Sequence, residues 1–153
     1  MAIYKTHTKF NLIIALPITI YLIYLLFNPK INYLLTFGGC FIYSTLFMNP
    51  DMDIANKIKL FSFKGLMTFP FRIYSFFFHH RGISHKIIIG TLTRVVFLFL
   101  FFIVIMFVID YSLISKKIFL RFFSTYKTYI IYGFCGLCVA DCCHLLLDIK
   151  KHK

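Results

Sequence analysis

The chain has 153 residues, of which 60% are hydrophobic and 20% aromatic, with a formal charge of +12 and a mean hydropathy of +0.83. Soluble domains hold about 45–50% apolar and about 25% charged residues, so this composition excludes a soluble protein and fits a single membrane domain over residues 1–153. The positive charge does not indicate a nucleic-acid partner, because the cations stand between apolar runs, where they fix topology and meet the headgroups of membrane lipids.

Four segments are apolar enough to cross a membrane as helices, which need roughly 20 mostly apolar residues. They cover residues 10–27, 31–48, 87–109 and 128–147. Between the second and third, phenylalanines alternate with Lys57, Lys59, Lys64 and Arg72, which is typical of a segment in the membrane interface. A re-entrant hairpin is the alternative. The sequence therefore predicts an all-α, polytopic four-helix transmembrane bundle with an interfacial or re-entrant segment between spans two and three.

Lysine and arginine residues outside these spans are distributed unevenly, eleven on one side of the membrane and five on the other. The side with more cations normally faces the cytoplasm. Both termini and the long central loop are therefore predicted to lie on the cytoplasmic side of a bacterial inner membrane.

Carboxylates are scarce, and four of the five acidic residues stand in short clusters that contain histidines or lie near them. The clusters are Thr6-His7, Asn49–Asp53, His79–His85 and Asp141–Asp148. Four spans would bring all the clusters to one face of the membrane, and imidazole with carboxylate is a ligand set for zinc, manganese or iron. The metal ligands predicted from these clusters are His7, Asp51, Asp53, His80, His85, His144 and Asp148. They suffice for one or two divalent ions, with zinc favoured.

Simpler explanations compete for several of these residues. Asp141, His144 and Asp148 form one polar stripe on a helix, and a helix end that emerges into water would explain Asp148 but not Asp141, which lies about two turns earlier. Asp51 and Asp53 follow an Asn-Pro pair, as ordinary residues at a helix start do. The histidines at positions 79–85 suit a membrane interface as well as a metal.

Two further features lie inside the predicted spans. Arg94 is a candidate functional residue by its position, and snorkelling toward the nearer face is an equal alternative. Cys135-x-x-Cys138, followed by Cys142 and Cys143, resembles a zinc or redox motif, but thiols in an apolar helix behave as small hydrophobic residues. The cysteines are not included in the predicted site.

The motifs together resemble a known family. They are Thr6-His7, Asn49-Pro50-Asp51-Met52-Asp53, His80-Arg81-Gly82-Ile83-Ser84-His85 with Gly90–Arg94, and Asp141-x-x-His144-x-x-x-Asp148. In this order they resemble an uncharacterised bacterial family of membrane metal-binding proteins, related to the LexA-regulated inner-membrane metal-dependent hydrolases (YdjM-like). The family more often has Ser or Leu at the positions of Gly82 and Ile83. The resemblance implies a metal site and a hydrolase.

Metal-dependent hydrolysis of a phosphoester or a lipid-like substrate at the membrane face is the enzymatic function expected from this site. Arg81 or Arg94 would hold the anionic group, and Asp141 would serve as a proton acceptor. The alternatives are a non-enzymatic protein that binds or transports metal, and a structural membrane protein stapled by a metal.

Overall fold

Helices form nearly all of the chain that the computed structural model describes, which comprises residues 2–48, 61–77, 87–109 and 116–151. The elements are α1 (Ala2–Phe10), a π-helical segment (Asn11–Ala15), α2 (Leu16–Phe27), α3 (Ile31–Phe47), α4 (Phe63–Met67), α5 (Phe69–Phe77), α6 (Ile87–Ile109) and α7 (Lys116–Lys151). Within these ranges there is no β-strand. The predicted all-α class is confirmed.

The first three elements form one continuous helical run whose hydrogen-bond pattern changes at the π-helical segment. The N–H of Leu16 donates to the carbonyl of Asn11, five residues earlier. Pro17 follows directly and can neither donate an N–H nor tolerate a regular helical carbonyl four residues before it. The wider turn accommodates this proline, and it places Asn11 and Ala15 on the buried side.

A sharp turn joins α2 to α3. Asn28 takes a left-handed conformation with φ of 42°, and its N–H donates to the carbonyl of Tyr24 at 2.9 Å. Pro29 then prevents continuation of the helix. The chain reverses over three residues, so α2 and α3 pack as neighbours, as the boundary at residues 28–30 predicts.

The closest packing in the bundle is between α3 and α7. Gly136 of α7 lies against the backbone of α3, where a Cβ would collide with the carbonyl of Phe37. Phe37 and Phe41 fill the core beside Ala15 and Ala140. The absence of a side chain at Gly136 thus lets the two helices approach closely enough to bury both rings.

Three helices, rather than four, are long and apolar enough to cross a membrane, judged by length and composition in the described chain. They are Thr6–Phe27, Ile89–Ile109 and Lys117–Leu147. The predicted second span is a shorter apolar helix, Ile31–Phe47. Its 17 residues rise only about 25 Å, against a hydrocarbon core of about 30 Å, and Pro50 disfavours a longer helix. The fourth span, expected over 128–147, belongs to a helix that already begins at Lys116.

The short helices α4 and α5 occupy the described part of the predicted interfacial segment. Phe71 and Tyr74 are fully buried against Met48, at the end of α3. The hydroxyl of Tyr74 is 3.2 Å from that of Thr93 on α6. The segment therefore packs on the bundle through its aromatic residues, and its placement in a membrane interface stays a prediction.

Replacing Gly136 with alanine should destabilise the fold by about 1–3 kcal/mol, because the new methyl group must push α3 away from α7. Gly39→Ala is the matched control, since nothing lies within 4 Å of the Cβ that it would add. It should be neutral or slightly stabilising. Unfolding of both variants in mixed micelles measures the difference, and equal stabilities would contradict the close approach.

Candidate functional site

A buried ion pair joins α6 to α7. The guanidinium Nη2 of Arg94 lies 2.6 Å from Oδ2 of Asp141, and each side chain is 1% exposed. An arginine or an aspartate alone in an apolar interior is costly, whereas a charged pair with further hydrogen bonds offsets much of that cost. The two residues are therefore stable here only as partners.

The carboxylate of Asp141 also accepts hydrogen bonds from a third helix, α3, and from a second residue of α6. Its Oδ1 accepts from the hydroxyl of Ser44 on α3 at 2.9 Å. Its Oδ2 also accepts from the hydroxyl of Thr91 on α6 at 2.5 Å. Three donors thus surround one buried carboxylate and hold it in a fixed position between α3, α6 and α7.

Arg94 uses its remaining donors on backbone carbonyls. Its Nε donates to the carbonyl of Gly90 at 3.0 Å, one turn earlier on α6. Its Nη1 donates to the carbonyl of Met48 at 2.5 Å, just beyond the last residue of α3. The guanidinium thereby fixes the end of α3 to the first turns of α6 and to α7.

Two histidines from opposite ends of the sequence meet at the same end of the bundle. The rings of His7 on α1 and His144 on α7 have centroids 4.7 Å apart, tilted by 55°. Both side chains are buried, with 4% and 5% exposure. His144 lies three residues beyond Asp141, so the imidazole pair is adjacent to the ion pair on α7.

A third polar contact links the first helical run to α3 and α7. The amide nitrogen of Asn11 donates to the carbonyl of Ala140 at 3.1 Å and to the hydroxyl of Thr45 at 3.4 Å. The amide oxygen of Asn11 is also buried, and it makes no hydrogen bond to any residue that the structure describes.

Four of the predicted site residues fall in the described chain with their side chains. They are His7, Arg94, Asp141 and His144. The structure brings them together as two adjacent pairs, His7 with His144 and Arg94 with Asp141. Five others lie outside the described residues, and a sixth lies in α7 with its side chain outside them. These are Asp51, Asp53, His80, Arg81 and His85, and Asp148.

The described residues alone do not complete a metal site. Among them no group of three or more His, Cys, Asp or Glu side chains is placed to hold a metal ion. All the cysteines are free thiols, and Cys135 is exposed. The ligand assignment therefore stays a prediction, and its described portion is the histidine pair.

Ser44, Thr91 and Asn11 contribute to the site and are absent from the predicted set. For two of them, the distance along the sequence to a predicted site residue could have indicated a role. Asn11 follows His7 by one helical turn, and Thr91 precedes Arg94 by three residues, so each shares a helix face with a predicted residue. Ser44 carried no comparable signal, because serine is common in packed membrane helices.

Residues 3–153 match the family described as uncharacterized metal-binding protein (DUF2227). The chain belongs to this family. The resemblance to a metal-binding family is thus confirmed, and the histidine pair lies within the matched region.

A relative of this DUF2227 protein comes from Aquifex aeolicus (strain VF5) and is described as an uncharacterized protein. The two are 32% identical over 69 residues, which cover 44% of this chain and 47% of the relative. The match thus spans about half the length of that relative. No solved structure matches the chain.

Replacing Arg94 with methionine should destabilise the protein by about 3–5 kcal/mol, because it leaves the Asp141 carboxylate buried without its cation. The double variant Arg94→Met/Asp141→Leu should be more stable than either single variant, since it removes both charges. Arg121→Met, at an exposed position of α7, is the control and should change stability by less than about 0.5 kcal/mol. Additive effects in this double-mutant cycle would contradict the ion pair.

Proposed function

We propose that this protein is an integral membrane metal-binding protein whose metal site lies at one face of the membrane and supports metal-dependent hydrolysis. The observation that carries the proposal is the burial of His7 against His144, two imidazoles drawn from opposite ends of the chain to one end of the bundle. Membership of a metal-binding family supports it. The proposed ligands are His7, Asp51, Asp53, His80, His85, His144 and Asp148.

Chain connectivity supports the inclusion of the acidic cluster and the central histidines. Asp51 and Asp53 follow Met48, whose carbonyl Arg94 holds, by three and five residues. His85 similarly precedes the first residue of α6 by two positions. The ion pair therefore ties the attachment points of these clusters to the helix that carries His144.

The described residues fit a borderline divalent ion. Two imidazoles that bind one tetrahedral zinc through nitrogens at about 2.0–2.1 Å have ring centroids roughly 5 Å apart, close to the observed 4.7 Å. Zinc is the favoured metal, with manganese or iron as alternatives, at one or two ions per chain.

For catalysis, a divalent ion lowers the pKa of a bound water toward about 7 and so supplies hydroxide at neutral pH. The contacts favour a positioning role for Arg94 and Asp141, because their donors and acceptors are already engaged with one another and with α3. Arg81 then remains to hold an anionic phosphate, and a carboxylate from the acidic cluster remains as the base. A site at headgroup level favours a phosphoester lipid as substrate. The proposed relation to the YdjM-like hydrolases agrees with this chemistry.

A structural metal is the second candidate. The polar contacts at this end of the bundle already cross-link α1, α3, α6 and α7. A metal held by residues of several helices would strengthen the same junction without catalysing a reaction. Transport is less well supported, because α2 has no charged residue.

Four membrane crossings are part of the proposal, with both termini and the metal site on the cytoplasmic face of a bacterial inner membrane. The cation asymmetry supports this orientation. Reporter fusions at Lys153 and within residues 112–127 should report opposite sides of the membrane. If both fusions report the same side of the membrane, the four-span topology is excluded.

Purified protein in detergent should contain one to two divalent ions per chain. His7→Ala and His144→Ala should each lower the metal affinity by at least about 10-fold, because each removes a direct ligand. Cys135→Ser is the matched control, since its thiol is exposed and lies outside the proposed ligand set. Metal content and affinity are measured by elemental analysis and competition with a chelator.

Unchanged metal content in both histidine variants would exclude the site. Phosphate release from phosphatidic acid in mixed micelles then separates the two candidates. Release that depends on the metal and is lost in His144→Ala supports the hydrolase. Metal that raises thermal stability without any release from phosphatidic acid or a soluble phosphoester favours the structural role.

A further inference from the structure

We propose that Asn11 is a positioning residue for the histidine pair: its amide sets the register between the first helical run and α7, so that His7 faces His144. The proposal rests on the proposed metal function and assigns a role to a residue that is not itself a ligand. It follows from the contacts of Asn11 and from its position relative to both histidines.

The Asn11 contact and the histidine contact lie along one interhelical seam. Asn11 is four residues after His7, and Ala140 is four residues before His144. Residues four apart stand above one another on a helix face. The bond from Asn11 to the carbonyl of Ala140 therefore lies one turn away from the imidazole pair, on the same sides of the same two elements.

The accepting carbonyl belongs to the turn that carries His144. In a helix the N–H of residue 144 is directed at the carbonyl of residue 140. Asn11 thus donates its hydrogen bond to the backbone of that turn rather than to a mobile side chain. A slip by one residue along α7 would break this bond and would also move the histidine ring by about 100° around the helix axis.

Asparagine is suited to this position because both hydrogens of its amide nitrogen have acceptors. One is directed to the carbonyl of Ala140 and the other to the hydroxyl of Thr45 on α3. A carbonyl accepts only, which fixes the nitrogen on that side. The side chain of Asn11, which is 1% exposed, thus joins the first helical run to both α3 and α7.

The π-helical segment adds to the same effect. It begins at Asn11, whose backbone carbonyl accepts from Leu16 instead of from a residue four positions on. The local widening turns Asn11 and Ala15 toward α7 and α3, where Ala15 packs with Phe37 and Ala140. Pro17 therefore influences the site through the helix pattern that it imposes.

The first readout needs no metal. In full-length protein in detergent with EDTA, diethyl pyrocarbonate modifies accessible imidazoles, and mass spectrometry reports each histidine separately. His7 and His144 should react slowly in the wild type because both are buried. Asn11→Ala should raise their reaction rates about 5- to 30-fold, since the first helical run then separates from α7 more often. Gly39→Ala, at a position of α3 with nothing within 4 Å of the added Cβ, should stay near the wild-type rate.

The second readout uses Co²⁺ as a probe. Asn11→Ala should weaken Co²⁺ binding about 10- to 100-fold and alter its visible spectrum, as loss of a residue that orients a ligand does. Asn11→Asp should weaken it at least as much, because a carboxylate cannot donate to the carbonyl of Ala140. If Asn11→Ala does not fold, Asn11→Gln keeps the donor on a longer arm and should still shift both readouts.

The outcomes separate this proposal from the metal proposal. Wild-type reaction rates at His7 and His144 in a folded Asn11→Ala or Asn11→Gln variant would overturn the positioning role, whatever the metal result. Absence of Co²⁺ binding to the wild type, together with faster modification of the variants, would overturn the metal site and leave Asn11 as the residue that pairs the histidines. Faster modification and weaker binding together support both.

Discussion

The buried ion pair between Arg94 and Asp141 is the interaction on which this end of the bundle depends. A single charged residue at the centre of a membrane helix costs about 2.5–3.5 kcal/mol on insertion scales. Arg94 and Asp141 lie nearer the ends of α6 and α7, but each side chain is 1% exposed, so neither is stable there without the other. Pairing alone does not offset the whole cost of desolvation, and further hydrogen bonds are needed. Ser44, Thr91 and the carbonyl of Met48 supply them. The requirement for all these partners fixes the relative positions of α3, α6 and α7.

The histidine pair follows from the same constraint. Once α7 is fixed at Asp141, His144 one turn later is fixed too, and the only remaining freedom is the position of the first helical run. Asn11 removes that freedom through its hydrogen bond to the carbonyl of Ala140. The result is two buried imidazoles beside the ion pair, at one end of the bundle.

Much of the fold could be predicted from the apolar composition and from the residues that end helices. The boundary between α2 and α3 was predictable because Asn28-Pro29 stops a helix locally, and α6 matches its apolar run of residues 87–109. The early start of α7 at Lys116 was missed because cations interrupt the apolar pattern there, although nothing in that stretch breaks a helix. The short α3 was predicted as a full span because its apolar segment is close to the minimum length that crosses a membrane. The sequence does not show where the helix itself ends.

The site was less predictable. Topology alone indicated that His7 and His144 belong on one face, and the structure places their rings in contact. The partnership of Arg94 with Asp141 could not be read from the sequence, because it depends on the rotation of α6 and α7 about their axes, which tertiary packing sets. Asn11 was missed although it follows His7 by one helical turn, because a single asparagine in an apolar helix belongs to no recognised motif.

X-ray absorption spectroscopy of the purified, metal-loaded protein tests the ligand set most directly. Ligation by histidines and carboxylates predicts nitrogen and oxygen neighbours at about 2.0–2.2 Å with the outer-shell scattering of imidazole. Sulfur neighbours at about 2.3 Å, or the absence of any imidazole scattering, would contradict a site built around His7 and His144.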